Sequence, residues 1–411
     1  MTEDYNIHTL GNNIRILHKQ VNNTKIVHCG FMLDIGSRDE STDEQGIAHF
    51  WEHMAFKGTG KRKAFHILNR MESVGGELNA YTTREKITFY TSVLDVHFDK
   101  AIELLTDITF NSTFPEKQID KERKVILEEM AMYHDSPEDA IQDDFDAMIY
   151  KNHPLGFNIL GTQDTVTSFH REDFLRFVRE HLDNERIVLS IVGNIPFRKA
   201  LRIAKKYLDD IPVHSAHSKR LAAGSYVPEI REMHRSIMQA HCAMGATAYP
   251  LNHDKRLKFF TLINILGGPG MNSRLNMALR EKHGFVYAVD ASYHGYTDTG
   301  IFGIFFATDP SQLNRSIRLV EKEMKRLREV PLGRVQLHTA KQQLKGQLAM
   351  AEENNGGLML MMAKSILDLN RIDPIEEIFD EIRAIKAHEL QDIANEIFEP
   401  DRLSRLIFLP D

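Results

Sequence analysis

The sequence predicts an α+β protein built from two copies of one fold, each an antiparallel-rich sheet with helices packed on it. Three observations carry that expectation. Strand-like and helical segments follow one another without the regular alternation of a doubly wound sheet. A small, polar stretch interrupts the chain near its middle, and the pattern that precedes it restarts afterwards. At 411 residues the chain is long enough for two or three domains with sizeable cores.

In the first half, residues 13–19, 25–35, 87–93 and 186–192 are rich in Ile, Val, Phe or Tyr and read as strands. Residues 43–56, 65–74, 96–111, 116–133, 140–150 and 171–181 read as helices, because their apolar residues recur at helical spacing. The run from His214 to Lys219, followed by Ala222-Ala223-Gly224-Ser225, has the composition of a connection. The expected division is therefore a first domain over 1–212, a linker over 213–232 and a second domain over 233–411. The run through His28-Cys29 aligns with that through His241-Cys242, 213 positions on, and Arg186-Ile187 aligns with Arg402-Leu403, 216 positions on. Two matches at nearly one offset point to duplication of a whole domain.

Composition excludes several classes. Acidic residues outnumber basic ones, 58 to 51, so no general cationic field recruits nucleic acid or an anionic membrane. No window approaches the ~20 apolar residues that span a bilayer, and the best stretch, Gly356–Ala363, is short and flanked by charge. The opening Met1-Thr2-Glu3-Asp4-Tyr5 has no basic segment leading into an apolar run, so no secretory leader is read there, although one removed earlier fits equally well. With only Cys29 and Cys242, the chain does not rely on disulfides, and a cytoplasmic setting is expected. Both cysteines are expected in the core, since adjacent strand residues point to opposite faces and the His-Cys pairs cannot share a proton. Lys57-Gly58-Thr59-Gly60-Lys61-Arg62 is not a phosphate loop, because Ala55 and Arg62 stand where a Walker motif needs Gly and Ser or Thr.

The chemistry concentrates in the first helix after residue 43. His49 and His53 are four residues apart, so both imidazoles leave one helical face and can converge on one metal ion. Glu52 lies beside that pair, out of register with His53, placed to reach a metal-bound water rather than the metal. His-x-x-Glu-His is the inverted zinc-peptidase motif. A catalytic zinc needs a third protein ligand, and the helix containing Glu122, Glu128 and Glu129 is its candidate source. Glu122 and Glu129 are two turns apart and share a face, whereas Glu128 points about 100° away.

These residues resemble the pitrilysin family of zinc metallopeptidases, which includes insulin-degrading enzyme and mitochondrial processing peptidase. The likeness covers nearly the whole chain. It implies that Glu129, 76 residues after His53, is the third zinc ligand, that Glu52 is the general base and that Glu122 is the family's additional acid near the site. Gly75–Thr82 is similar to the family's substrate-binding edge strand, which implies that Asn79, Ala80, Tyr81 and Thr82 pair with an extended peptide. In the stretch Leu279–Tyr287, Arg280 and Tyr287 match the pair that contacts the scissile carbonyl. Leu266–Leu275 resembles a glycine-rich loop but is short and interrupted by Pro269, and it reads as a tight connection between two helices.

The implied function is zinc-dependent endopeptidase activity on oligopeptides or unfolded peptides. Zinc lowers the pKa of its water toward ~7, and Glu52 takes the proton and passes it to the leaving amine. Displacing His49, Glu52 and His53 by 213 gives Leu262, Ile265 and Leu266, so the second copy is expected to bind no metal. Family members of this length resemble half of the larger clamshell enzymes. A homodimer enclosing a chamber is therefore expected, with Arg280 and Tyr287 of each subunit completing the zinc site of the other; a heterodimer with a degenerate homologue is the other arrangement. Alternative functions are a precursor-processing peptidase of the same chemistry and a non-catalytic peptide-binding or scaffold subunit.

Overall fold

A computed structural model describes residues 5–216 and 219–411. Residues 1–4, where the leader-free start is read, and 217–218 of the expected linker lie outside the described residues. Among the described residues, eleven strands form two sheets. The first contains β1 (Asn6–Thr9), β2 (Arg15–Gln20), β3 (Ile26–Leu33), β4 (Glu77–Thr82), β5 (Ile87–Leu94) and β6 (Ile187–Gly193), in the order β1-β2-β6-β3-β5-β4. The second contains β7 (Ile230–Arg235), β8 (Ala240–Ala248), β9 (Val286–Gly295), β10 (Gly300–Thr308) and β11 (Ser404–Pro410), in the order β7-β11-β8-β10-β9. Apart from β1, the two orders are identical when β2, β6, β3, β5 and β4 are set against β7, β11, β8, β10 and β9. β2 runs parallel to β6 as β7 does to β11, and the remaining pairs among the described residues are antiparallel. The expected fold, a duplicated α+β domain with antiparallel-rich sheets, is the one observed.

The helices are, in chain order, α1 (Ile47–Ala55), α2 (Ala64–Glu72), α3 (Phe98–Phe110), α4 (Glu116–Asp135), α5 (Pro137–Ile149), α6 (Gln163–Ser168), α7 (Arg171–His181) and α8 (Phe197–Leu208). They continue with α9 (Arg256–Gly267), α10 (Leu313–Glu329), α11 (Arg334–Glu352), α12 (Asn355–Leu369), α13 (Ile375–Ala384) and α14 (Ala387–Ile397).

The chain forms two compact units, and neither is one contiguous stretch. The first takes the described residues through Met130, those of Phe157–Leu221, and Ala351–Ile372; the second takes Ala131–Gly156, Ala222–Met350 and Asp373–Asp411. The strands show why a single cut at 213 differs from this arrangement. Along β3 and β6, Phe31, Leu33, Ile187, Leu189 and Ile191 enter the large core shared with α1, α3 and α8, while the alternating Met32, Val188 and Val192 form a second cluster. That second cluster is closed by Leu358, Met359, Met362, Ala363 and Ile366 of α12, a helix from the far end of the chain. The apolar stretch at 356–363 is thus a core helix seated on a sheet.

The second unit repeats the device in reverse. Cys242, Met244, Phe302 and Ile304 face one core, and Ala243, Ile301, Leu406 and Phe408 face Ala140, Ile141, Phe145, Met148 and Ile149 of α5. Each sheet is apolar on both faces and takes the cover of one face from the other half of the sequence. The described residues of the connection, 212–216 and 219–229, are irregular, and Ile230–Glu232 of the expected linker already belong to β7. Within the first unit, Arg220 of this connection is held by Asp39 at 3.0 Å and Asp34 at 3.0 Å.

Both cysteines are free and buried, and burial pushes the Cys242 thiol up to about 12. No helix among the described residues is long and apolar enough to cross a membrane. Trp51 of α1 lies in the first unit's core against Phe89 and Phe177. Trp51→Ala is expected to lower stability by about 3–5 kcal/mol through the cavity it leaves, read as the shift in urea unfolding by far-UV circular dichroism, since Trp51 is the only tryptophan.

Candidate metal centre and active site

Helix α1 carries two stripes. Ile47, Phe50, Trp51 and Met54 recur at the spacing of one face and are fully buried in the core. His49, Glu52 and His53 occupy another face, and the core contacts of the first stripe fix the direction of the second. Helix α4 is built differently: Ile119, Glu122, Ile126 and Glu129 lie along one stripe, so two acids ride on the side that the isoleucines anchor, whereas Glu128 is exposed.

The two helices bring three donors together. His49 Nε2 is 3.8 Å and His53 Nε2 is 3.6 Å from the same Glu129 oxygen, and the imidazole centroids are 4.6 Å apart. These separations are long for hydrogen bonds but suit three atoms around one tetrahedral cation with ~2 Å bonds. Among the described residues, His49, His53 and Glu129 are the group able to hold a metal ion. The donor chemistry, two imidazoles and a carboxylate, fits zinc. Burial, and then the neighbouring His53, push His49 down to about 3, which keeps its imidazole neutral as a ligand requires.

Behind His53, its Nδ1 lies 3.0 Å from Glu122 Oε1, and Lys57 Nζ lies 2.6 Å from Glu122 Oε2. Burial works against the Glu122 charge, but hydrogen bonds from His53 and Lys57 outweigh it and hold the carboxyl below its ordinary range. An ionised carboxylate only accepts, so Nδ1–H donates and Nε2 is left with its lone pair toward Glu129 and a metal. Glu122 therefore holds the His53 ring through the nitrogen that faces away from Glu129. Lys57 is a member of this site that the sequence reading missed, having considered its segment only as a failed phosphate loop. Its signal is position: it lies four residues after His53, in the turn that directly follows α1.

Glu52 is flanked by the strand that follows. Thr82 Oγ1 donates a 2.6 Å hydrogen bond to Glu52 Oε2. Burial raises the Glu52 carboxyl above its ordinary value, the Thr82 bond and His53 oppose this, and Glu129 adds to it. Thr82 ends β4, which lies at the edge of its sheet and pairs with β5. Asn79, Ala80 and Tyr81 lie on the same edge strand, with Asn79 exposed. Thr82 thus reaches the site through its side chain as well as lying on that edge.

Arg280 and Tyr287 belong to the second unit. Arg280 sits in a π-helical turn, Asn276–Glu281, with its guanidinium carbon 5.8 Å from the ring centre of Tyr287, at the start of β9. Tyr287 is 87% exposed, which sets it apart from a core strand residue. Leu266–Leu275 links α9 to that turn.

A duplicated α+β architecture whose first copy holds an inverted His-x-x-Glu-His helix against a distant glutamate defines the inverted-motif class of metallopeptidase folds. The chain belongs to the insulinase family of peptidases, peptidase family M16. The family's model matches residues 15–163, and the model described as the peptidase M16 inactive domain matches 168–344. A protein of Rickettsia felis named an uncharacterized zinc protease is 34% identical over 407 residues, covering 99% of this chain and 98% of its own. The beta subunit of mitochondrial-processing peptidase from Bos taurus is 30% identical over 373 residues, covering 89% of this chain and 76% of its own. The solved structure of a protease from Helicobacter pylori shares the fold with a TM-score of 0.88 at 20% identity, over 99% of both chains.

Proposed function

We propose that this chain is a zinc-dependent endopeptidase that cuts oligopeptides and unfolded peptides, with Glu52 as general base. The observation that carries this reading is the convergence of His49 Nε2, His53 Nε2 and one Glu129 oxygen beside the buried Glu52 carboxyl. Zinc held by His49, His53 and Glu129 supplies a Lewis acid for the peptide carbonyl and lowers the pKa of water. With Oε2 engaged by Thr82, Glu52 uses Oε1 to take the proton of the attacking water and then delivers it to the leaving nitrogen. Asn79–Thr82 receive the substrate as an added strand along β4, a mode that reads backbone more than sequence.

In this reading the protein is a homodimer enclosing a chamber, and Arg280 and Tyr287 of one subunit stabilise the carbonyl oxygen at the partner's site. Glu52→Gln chains mixed with Arg280→Ala chains then recover activity in verified mixed dimers; no recovery sinks the shared site. The similarity to mitochondrial-processing peptidase favours a second reading, a dedicated precursor-processing enzyme with the same residues. A purely scaffolding subunit is disfavoured by the intact donor set.

The test is cleavage of an internally quenched peptide library by zinc-loaded protein, with and without chelator. Chelator-sensitive cleavage at many sites supports the oligopeptidase, and cleavage confined to presequence-like peptides supports the processing enzyme. No cleavage by a zinc-loaded dimer refutes both.

A further inference from the structure

Helix α1 has only nine residues, too few to be stable without tertiary anchors. Its N-terminus has no side-chain cap of its own, because the capping position is Gly46, in the left-handed region at φ 92°. Glycine is required there: a Cβ would stand 2.5 Å from the Leu160 carbonyl oxygen. The free amides are met from a distance. Glu40, 2% exposed, accepts from the Gly46 amide through Oε2 and from the Ala48 amide through Oε1, each at 2.9 Å. One buried carboxyl group thus satisfies two amides at the first turn of the helix, although burial raises it well above its ordinary value against the two amide bonds.

The segment bearing Glu40 is itself fixed to the strand that holds the base. The Ser37 amide donates to the Thr83 carbonyl at 3.2 Å and the Arg38 amide to the Arg84 carbonyl at 2.7 Å. Thr83 directly follows Thr82, whose hydroxyl binds Glu52. Residues 37–40 and Thr82 therefore grip α1 at its first turn and at Glu52 from two segments that are hydrogen-bonded to each other.

The duplicated fold provides an internal control. At the offset that aligns His28-Cys29 with His241-Cys242, Glu40 falls on His253. The corresponding helix, α9, starts from Lys255 with no side-chain cap, and His253 Nδ1 lies 3.1 Å from the Lys255 amide and 3.0 Å from Asp254 Oδ1. The fold thus builds this helix without a buried acid. Burying an acid side chain is costly even when it is hydrogen-bonded, and it occurs in the copy whose helix carries His49, Glu52 and His53.

We propose that Glu40 is a positioning residue for the metal centre: clamped to the amides of Gly46 and Ala48, it sets the axial position and rotation of α1, and so where the His49 and His53 imidazoles meet Glu129. This rests on the zinc-peptidase reading of the site.

The experiment compares full-length wild type, Glu40→Gln, Glu40→Asp and, as a core variant on α8, Ile203→Ala. Gln keeps the shape but presents an NH2 group to one amide donor, and Asp keeps the carboxyl group but is a methylene too short to span both. The readouts are zinc affinity by competition with a chromogenic chelator, the visible spectrum of the cobalt(II) protein, and thermal melting. Glu40→Gln is expected to lose about 10–100-fold in zinc affinity, the range for partners that orient metal ligands, with an altered cobalt spectrum, and Glu40→Asp to lose less. Ile203→Ala should melt earlier with both metal readouts unchanged. A folded Glu40→Gln with wild-type affinity and cobalt spectrum overturns the proposal; if that variant is insoluble, Glu40→Asp decides by the same criterion. Wild-type zinc binding that His53→Ala leaves untouched overturns this proposal and the functional reading together. Glu40-dependent zinc binding without peptide cleavage upholds the positioning role and overturns the peptidase.

Discussion

Glu52→Gln is expected to reduce kcat/KM for a quenched peptide by about 10³-fold, within the range for loss of a positioned general base, while zinc stoichiometry stays at the wild-type value. The substitution is isosteric and leaves an oxygen able to accept from Thr82, so the strand beside the helix keeps its place. It removes only the capacity to take a proton. Activity measured beside metal content in the same preparations separates the base from the ligands. A variant within a few-fold of wild type at equal zinc would assign proton transfer to another group.

Glu129→Gln is expected to lower zinc affinity by more than ~100-fold, beyond the 10–100-fold typical of residues that only support a ligand, and to abolish cleavage at limiting zinc. The fold should survive, because α4 is anchored in the core by Ile119 and Ile126, while the Glu129 side chain is 25% exposed. Chelator competition together with a melting curve checks both halves. Unchanged affinity would show that the third donor is not Glu129 and would turn attention to Glu122, which lies one bond network away on His53.

Much of the site was legible because it is local. The spacing of His49, Glu52 and His53 needs only helical geometry, and the complementary spacing of Ile47, Phe50, Trp51 and Met54 orients the set. Glu129 was legible through family resemblance, since the residues alone left three acids on one helix open. Lys57, the hydroxyl of Thr82 and Glu40 were not legible as site members. Each acts across a gap in sequence, Lys57 on Glu122, Thr82 on Glu52 and Glu40 on the amides of α1, and no local periodicity encodes such pairings.

The domain pattern divides in the same way. The restart of the strand pattern after 213 positions implied two copies of one fold, and both sheets repeat one strand order. The exchange of α5 and α12 was hidden, because an amphipathic helix shows in its sequence that it must bury a face but not which sheet will receive it. By itself, the sequence determined most elements of the first half, the repetition of the fold and the His49, Glu52 and His53 stripe of α1, all set by short-range periodicity. Only the tertiary structure decided which helix covers each sheet and which distant carboxylates, amine and hydroxyl surround that stripe, because those choices are made by long-range packing of faces that the chain specifies one at a time.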